Sequence, residues 1–267
     1  MRFSPWGWLL GLFCWIPLAQ AEPLQPDPGL RALLQEARLP GCIVLLETHS
    51  EQIRVSEESC SQKRMLPAST FKVANALIAL EANVVQEKER FPWDGTPQPF
   101  PTWERELSLQ EAMAVSSVPV FQQIARRVGL SRMAEGVRRL GYGNETIGTV
   151  VDRFWLDGPL TISPLEEARF MARVATGQLP FSKPAMDSLR RLIPQETIGT
   201  TRLFGKTGWA MAARPMIGWY VGWVENPDQI MAFAVSIDMK DQESAPWRKS
   251  LALAALRHAG ALRDDTP

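Results

Sequence analysis

Apolar residues recur at helical spacing first over 30–37, where Leu30, Leu33, Leu34 and Ala37 share a face, and Pro40-Gly41 ends that element. Short apolar runs then predict strands over 42–47 and 52–55, folded into a hairpin with His49-Ser50-Glu51 near its turn. After a polar loop, the run from Pro67 to Leu80 is apolar on nearly every side, which marks a helix buried in a core. Residues 85–106 are rich in proline, contain Trp93-Asp94-Gly95 and Trp103, and read as an ordered loop. Helical patterns follow over 107–115, 118–128 and 131–140, the last with Ser131 as its cap. Ser163 opens another, with Pro164 at the first position and Glu166 completing a capping box, and 183–192 adds one more. The pattern then turns to strands over 202–206, 216–224 and 230–237, an antiparallel meander. A final helix spans 246–259, with Gly260 as its stop.

This order predicts an α/β fold in which an antiparallel sheet flanked by helices is built from both ends of the chain. The sheet lobe takes approximately 22–82 and 196–267, and an all-α lobe of approximately 83–195 is inserted between, within one domain of 22–267.

Composition changes the picture at the N-terminus. In residues 1–21 Arg2 is the only charge, an apolar run follows from Trp6 to Leu18, and Ala19-Gln20-Ala21 supplies a small-x-small cleavage pattern. This predicts a secretory signal peptide cut after Ala21, and a soluble mature protein with no membrane span. Cys14 follows Phe13 rather than a small residue, which argues against a lipid anchor. The 29 basic residues balance 29 acidic ones and no basic stripe is present, so a nucleic-acid partner is not expected. Only His49 and His258 exist, in stretches without other catalytic signals, which disfavours a Ser-His-Asp hydrolase and zinc chemistry; no metal is expected. Cys42 and Cys60 flank the hairpin, and in an oxidising compartment such a pair invites a disulfide, although the register leaves the pairing open.

The candidate chemistry centres on Ser69 and Lys72. Lys72 is the only charge in its apolar run before Glu81, so burial should depress its pKa and favour a neutral amine. Ser69, three residues earlier, lies on the same helix face, near an N-terminus that favours a developing oxyanion. The bland alternative is a capping Ser69 or Thr70 with Lys72 reaching to solvent. Three further clusters bear on this: Ser116-Ser117-Val118 at a helix junction, Tyr142-Gly143-Asn144 in a turn, and Lys206-Thr207-Gly208 ending a strand.

S-x-x-K, a later serine triplet and K-T-G in this order resemble the signature of penicillin-recognising serine enzymes. Within that superfamily the chain is similar to the class D serine β-lactamases, or oxacillinases. PASTFK, SSVPVFQ, YGN, FWLDGPL, KTGW and GWYVGW, which begin at Pro67, Ser116, Tyr142, Phe154, Lys206 and Gly218, carry the likeness. The resemblance implies hydrolysis of β-lactam antibiotics in the periplasm, conferring resistance, through acylation of Ser69. Lys72 would be carboxylated by carbon dioxide, with no other cofactor, and serve as general base for acylation and deacylation. Trp155 would donate to the carbamate, Val118 and Leu156 would gate water, and Ser116 would pass a proton to the lactam nitrogen. The N–H groups of Ser69 and Trp209 would form the oxyanion hole. Thr207 and Arg248 would hold the substrate carboxylate, with Lys206 adding positive field; an ordinary exposed helix arginine is the other reading of Arg248. The rivals are a cell-wall transpeptidase or carboxypeptidase of the same superfamily and a non-catalytic penicillin sensor. The β-lactam preferred, and whether the protein is a monomer or a homodimer, stay open.

Overall fold

The structure, a computed structural model, describes residues 23–262, so the expected signal segment lies outside the described residues. Strand β1 (Leu24–Pro26) leads into α1 (Pro28–Ala37), whose first N–H groups are capped by the Asp27 carboxylate. The expected hairpin is β2 (Gly41–Glu47) with β3 (Ile53–Val55). The short α2 (Glu58–Ser61) and a 3-10 turn (Ala68–Phe71) precede α3 (Lys72–Glu81). Next, β4 (Arg90–Phe91) pairs with β5 (Leu107–Ser108). Five helices follow: α4 (Leu109–Ala114), α5 (Val118–Val128), α6 (Leu130–Leu140), α7 (Pro164–Thr176) and α8 (Lys183–Leu192). The chain ends in β6 (Gln195–Ile198), β7 (Thr201–Ala210), β8 (Met216–Glu225), β9 (Ile230–Met239) and α9 (Trp247–His258).

Seven strands form one sheet in the order β1-β3-β2-β9-β8-β7-β6. Its pairs are antiparallel except at one edge, where β1 runs parallel to β3. Both faces are covered, which is why β2 reads as an unbroken apolar run instead of an alternation. Ile43 and Leu45 face Leu30, Leu34, Leu251 and Leu256 of α1 and α9. Val44 and Leu46 face the other way, into the core that also holds Phe71, Leu77 and Phe170.

Several expectations are corrected. The Lys206-Thr207-Gly208 stretch does not end its strand, because β7 continues to Ala210. Ser131 is not a cap: α6 starts at Leu130 after Gly129, whose φ of 80° breaks the chain between two helices. The inserted segment is not all-α, since it holds the β4–β5 pair, and α7 lies against β2, β8 and β9. The capping box of Ser163 with Glu166 is present as read. Helix α3 packs on α5, α6 and α8 while its 3-10 lead-in lies against β7, so it bridges the two lobes at the point where Ser69 sits. Among the described residues no helix is long and apolar enough to cross a membrane.

Cys42 on β2 and Cys60 on α2 form a disulfide, closing a loop with a sequence separation of 18. Loop-closure entropy for that separation is worth about 3 kcal/mol. Replacing both cysteines by alanine is therefore expected to lower the unfolding free energy by about that amount in a urea titration; an unchanged midpoint would mean that the bridge does not constrain the unfolded chain.

Candidate active site

The turn that carries Ser69 is fastened from several sides. Met65 and Ile162 exchange backbone hydrogen bonds of 2.9 and 2.8 Å, and the Trp219 indole donates to the Leu66 carbonyl at 2.9 Å. Ala68 takes a left-handed φ of 49°, unfavourable for a residue with a Cβ, and its N–H is held by the Trp155 carbonyl at 2.9 Å. Beyond it, Gly208 of β7 lies so close that a Cβ there would stand 3.0 Å from Thr70 and 3.1 Å from the Pro67 carbonyl oxygen. Glycine at this position thus lets the strand edge approach the turn.

Lys72 is the first residue of α3, and its Nζ lies 2.6 Å from Ser69 Oγ. Its side chain is fully enclosed, beside the Phe121 ring, so it does not reach solvent. Burial pushes its pKa well below the usual lysine value, and the charge of Lys206 adds to the effect. Burial thus favours the neutral amine facing the hydroxyl, an arrangement that could activate a serine.

Ser116 connects α4 to α5 with a left-handed φ of 60°, held by hydrogen bonds from Ser116 N–H to Met113 O and from Ser117 N–H to Ala112 O. The strained residue presents its hydroxyl to Lys206, whose Nζ donates to Ser116 Oγ at 2.7 Å and to the Thr207 carbonyl at 2.8 Å. Burial, then the charge of Arg248, lower the Lys206 pKa to about 7, so the ammonium and amine forms are both accessible near neutral pH. Arg248 is no ordinary exposed helix arginine: its guanidinium donates to Gly208 O at 2.8 Å and to Ala245 O at 2.8 Å, at the rim of the site.

A cleft of about 190 Å³ joins these groups. Ser69, Ser116, Val118, Leu156, Thr207, Trp209 and Arg248 line it, so seven of the ten residues singled out in the sequence share one cavity. The other three, Lys72, Trp155 and Lys206, lie buried behind its wall. The Trp155 ring stacks on Phe71, the residue beside Lys72, and its indole N–H is buried without a hydrogen-bond partner. A buried donor without an acceptor among the described residues leaves room for a polar group to bind there.

Sequence reasoning missed other parts. Phe100 and Trp103 line the cleft without any signal in their loop segment, and Met211, in the loop after the K-T-G strand that in class D relatives often shapes substrate choice, lines it too. Tyr142-Gly143-Asn144 is more than a turn: Asn144 accepts from Thr161 N–H at 3.0 Å and donates to Pro159 O at 2.9 Å, tying down the segment that follows Trp155. A Cβ on Gly143 would stand 2.1 Å from the Thr161 oxygen. Tyr142 itself points inward to Glu167 at 2.8 Å.

The penicillin binding protein transpeptidase domain matches residues 41–256. The chain is 35% identical to β-lactamase OXA-10 of Pseudomonas aeruginosa over 83% of its own length and 85% of that protein. It is 34% identical to β-lactamase OXA-48 of Klebsiella pneumoniae, covering 90% of this chain and 91% of the relative. Its fold superposes on the class D β-lactamase FUS-1 (OXA-85) of Fusobacterium nucleatum subsp. polymorphum with a TM-score of 0.86 and 31% identity, over 90% of this chain and 100% of that one. With its serine, lysine and K-T-G strand edge gathered on that scaffold, the chain belongs to the class D β-lactamase family of the transpeptidase-domain fold.

Proposed function

We propose that this protein hydrolyses β-lactam antibiotics through an acyl-enzyme on Ser69. The observation that carries the reading is the contact of 2.6 Å between Ser69 Oγ and the buried amine of Lys72, whose pKa burial holds well below the ordinary lysine value. Ser69 attacks the lactam carbonyl as its proton leaves toward Lys72. The backbone N–H groups of Ser69 and Trp209 receive the oxyanion, each donor contributing roughly 3–4 kcal/mol as in other acyl-transfer sites. Ser116, bonded to Lys206, returns a proton to the departing nitrogen, and the Lys206 pKa of about 7 lets that lysine replenish it.

Carboxylated by carbon dioxide, Lys72 supplies the general base for both half-reactions. Two observations favour that modification: only a neutral amine attacks carbon dioxide, and the unpartnered Trp155 N–H would hold the added carboxylate. Val118 and Leu156, on the cleft wall, control the water that completes turnover. The predicted signal peptide places this chemistry in the periplasm, where it would confer resistance.

Thr207 and Arg248 bind the carboxylate common to these substrates. Losing one charge-assisted contact of about 1.5–3 kcal/mol raises KM about tenfold to a hundredfold, so Arg248→Ala should show that rise with a smaller change in kcat. An unchanged KM would return Arg248 to a structural role, as the anchor of α9 on Gly208.

The experiment for the function itself is quenched intact-mass analysis during hydrolysis of a chromogenic β-lactam. A transient adduct mapped to Ser69 is expected, whereas a permanent adduct without turnover would indicate a sensor or a peptidoglycan enzyme.

A further inference from the structure

Glu167 is a buried carboxyl group that the reaction above does not use. It lies in the first turn of α7, fully enclosed. Both of its hydrogen-bonding neighbours meet Oε1: Tyr142 OH at 2.8 Å and Thr70 Oγ1 in a short contact, while Oε2 is buried with no partner. Thr70 Oγ1 also lies 2.9 Å from the carbonyl oxygen of Pro67, at the start of the turn that carries Ser69.

Counting protons favours the neutral acid. The close contacts Tyr142–Glu167, Glu167–Thr70 and Thr70–Pro67 each call for one proton, with Thr70 Oγ1 also 3.4 Å from Tyr142 OH and the Pro67 carbonyl also bonded by Thr70 N–H at 3.2 Å. Tyr142 and Thr70 bring one apiece, and a single threonine proton cannot serve both Glu167 and the Pro67 carbonyl. An ionised carboxylate would therefore leave two acceptors facing each other and Oε2 charged in a dry site. A protonated Oε1 completes a one-way chain: Tyr142 donates to Glu167, Glu167 to Thr70, and Thr70 to Pro67.

We propose that Glu167 is a positioning residue, a carboxyl group held neutral behind the nucleophile turn, which directs the Thr70 hydroxyl onto Pro67 and so fixes the placement of Ser69. This rests on the reading of Ser69 as nucleophile. The groups acting on Glu167 are Thr70 and Tyr142, which bond it, and Glu166 beside it on α7, itself paired with Arg64. Burial raises the Glu167 pKa to about 7, and the Glu166 charge adds to that rise against the two hydrogen bonds.

For an acid whose folded pKa is raised, the stability contribution is complete below the unfolded value of 4.5 and is lost as pH rises through about 7. Glu167→Gln does not titrate. Melting curves should therefore show the variant gaining on the wild type by about 4 °C or more between pH 5 and pH 8. Burst-phase acylation by a chromogenic β-lactam should stay within about threefold of wild type in Glu167→Gln. It should fall about tenfold or more in Glu167→Leu and in Thr70→Val, with the double variant no slower than either. A melting difference that stays flat with pH overturns the neutral carboxyl, and it can be read even if the leucine variant does not fold. Wild-type acylation rates in Glu167→Leu overturn the positioning role. If the wild type forms no adduct on Ser69, the nucleophile assignment fails and the positioning role with it, while the melts still judge the neutral carboxyl separately.

Discussion

Lys72→Ala is expected to lower kcat by about 10⁴-fold or more and to leave the acyl group on Ser69. A positioned general base contributes roughly 10²–10⁴-fold to a step, and in the proposed mechanism one residue serves both acylation and deacylation. Deacylation should suffer more, because in the proposed mechanism the water passing Val118 and Leu156 is activated by Lys72. Intact mass after prolonged incubation should show the adduct persisting. Loss of folding does not account for such a result. The folded pKa of Lys72 is depressed, so its favourable contribution to stability is complete above the ordinary value of 10.5 and is lost as pH falls through the folded value. In buffer freed of carbon dioxide, where Lys72 is the free amine, Lys72→Met, which keeps the volume and removes the titration, should therefore melt above the wild type at pH 7, with the difference closing toward pH 10.5. Full turnover in Lys72→Ala would remove Lys72 from the mechanism and leave the fold assignment standing.

Trp155→Phe is expected to act more selectively. Phenylalanine keeps an aromatic ring against Phe71 but removes the indole N–H, which is buried and has no partner among the described residues. If that N–H serves to hold a carboxylate on Lys72, its loss forfeits a hydrogen bond to a charged group of about 1.5–3 kcal/mol, or about tenfold to a hundredfold in the carboxylated fraction. Activity at ambient carbon dioxide should fall by that factor and recover in concentrated bicarbonate, with KM nearly unchanged. An equal fall that bicarbonate does not relieve would mean that the indole supports packing instead. Acid should mimic the variant in the wild type, because a proton competes with carbon dioxide for the Lys72 amine.

The candidate site is legible in the sequence where it is local or where it interrupts a strong pattern. Ser69 and Lys72 are three residues apart in an apolar run, so one turn of backbone brings them together and burial follows from their neighbours. Ser116 and Lys206 are 90 residues apart, and only the family pattern connected them before the 2.7 Å contact did. The three long strands of the meander were evident from their apolar runs. β6 was not, because Gln195-Glu196-Thr197-Ile198 is an edge strand without an apolar face to betray it. The extension of β7 past Gly208 is set by pairing with β8, a long-range fact. Glu167 was invisible for a similar reason. It follows Glu166 in a helix first turn, where acidic residues are ordinary, and only the contacts with Thr70 and Tyr142 separate the enclosed carboxyl from its half-buried neighbour.

Hydrolysis of a chromogenic β-lactam by the purified protein, with and without added bicarbonate and followed by intact mass of the quenched enzyme, tests the central claim most directly. The account predicts fast turnover that bicarbonate increases, together with a short-lived adduct on Ser69. A stable adduct without turnover, or turnover that never passes through Ser69, would contradict it.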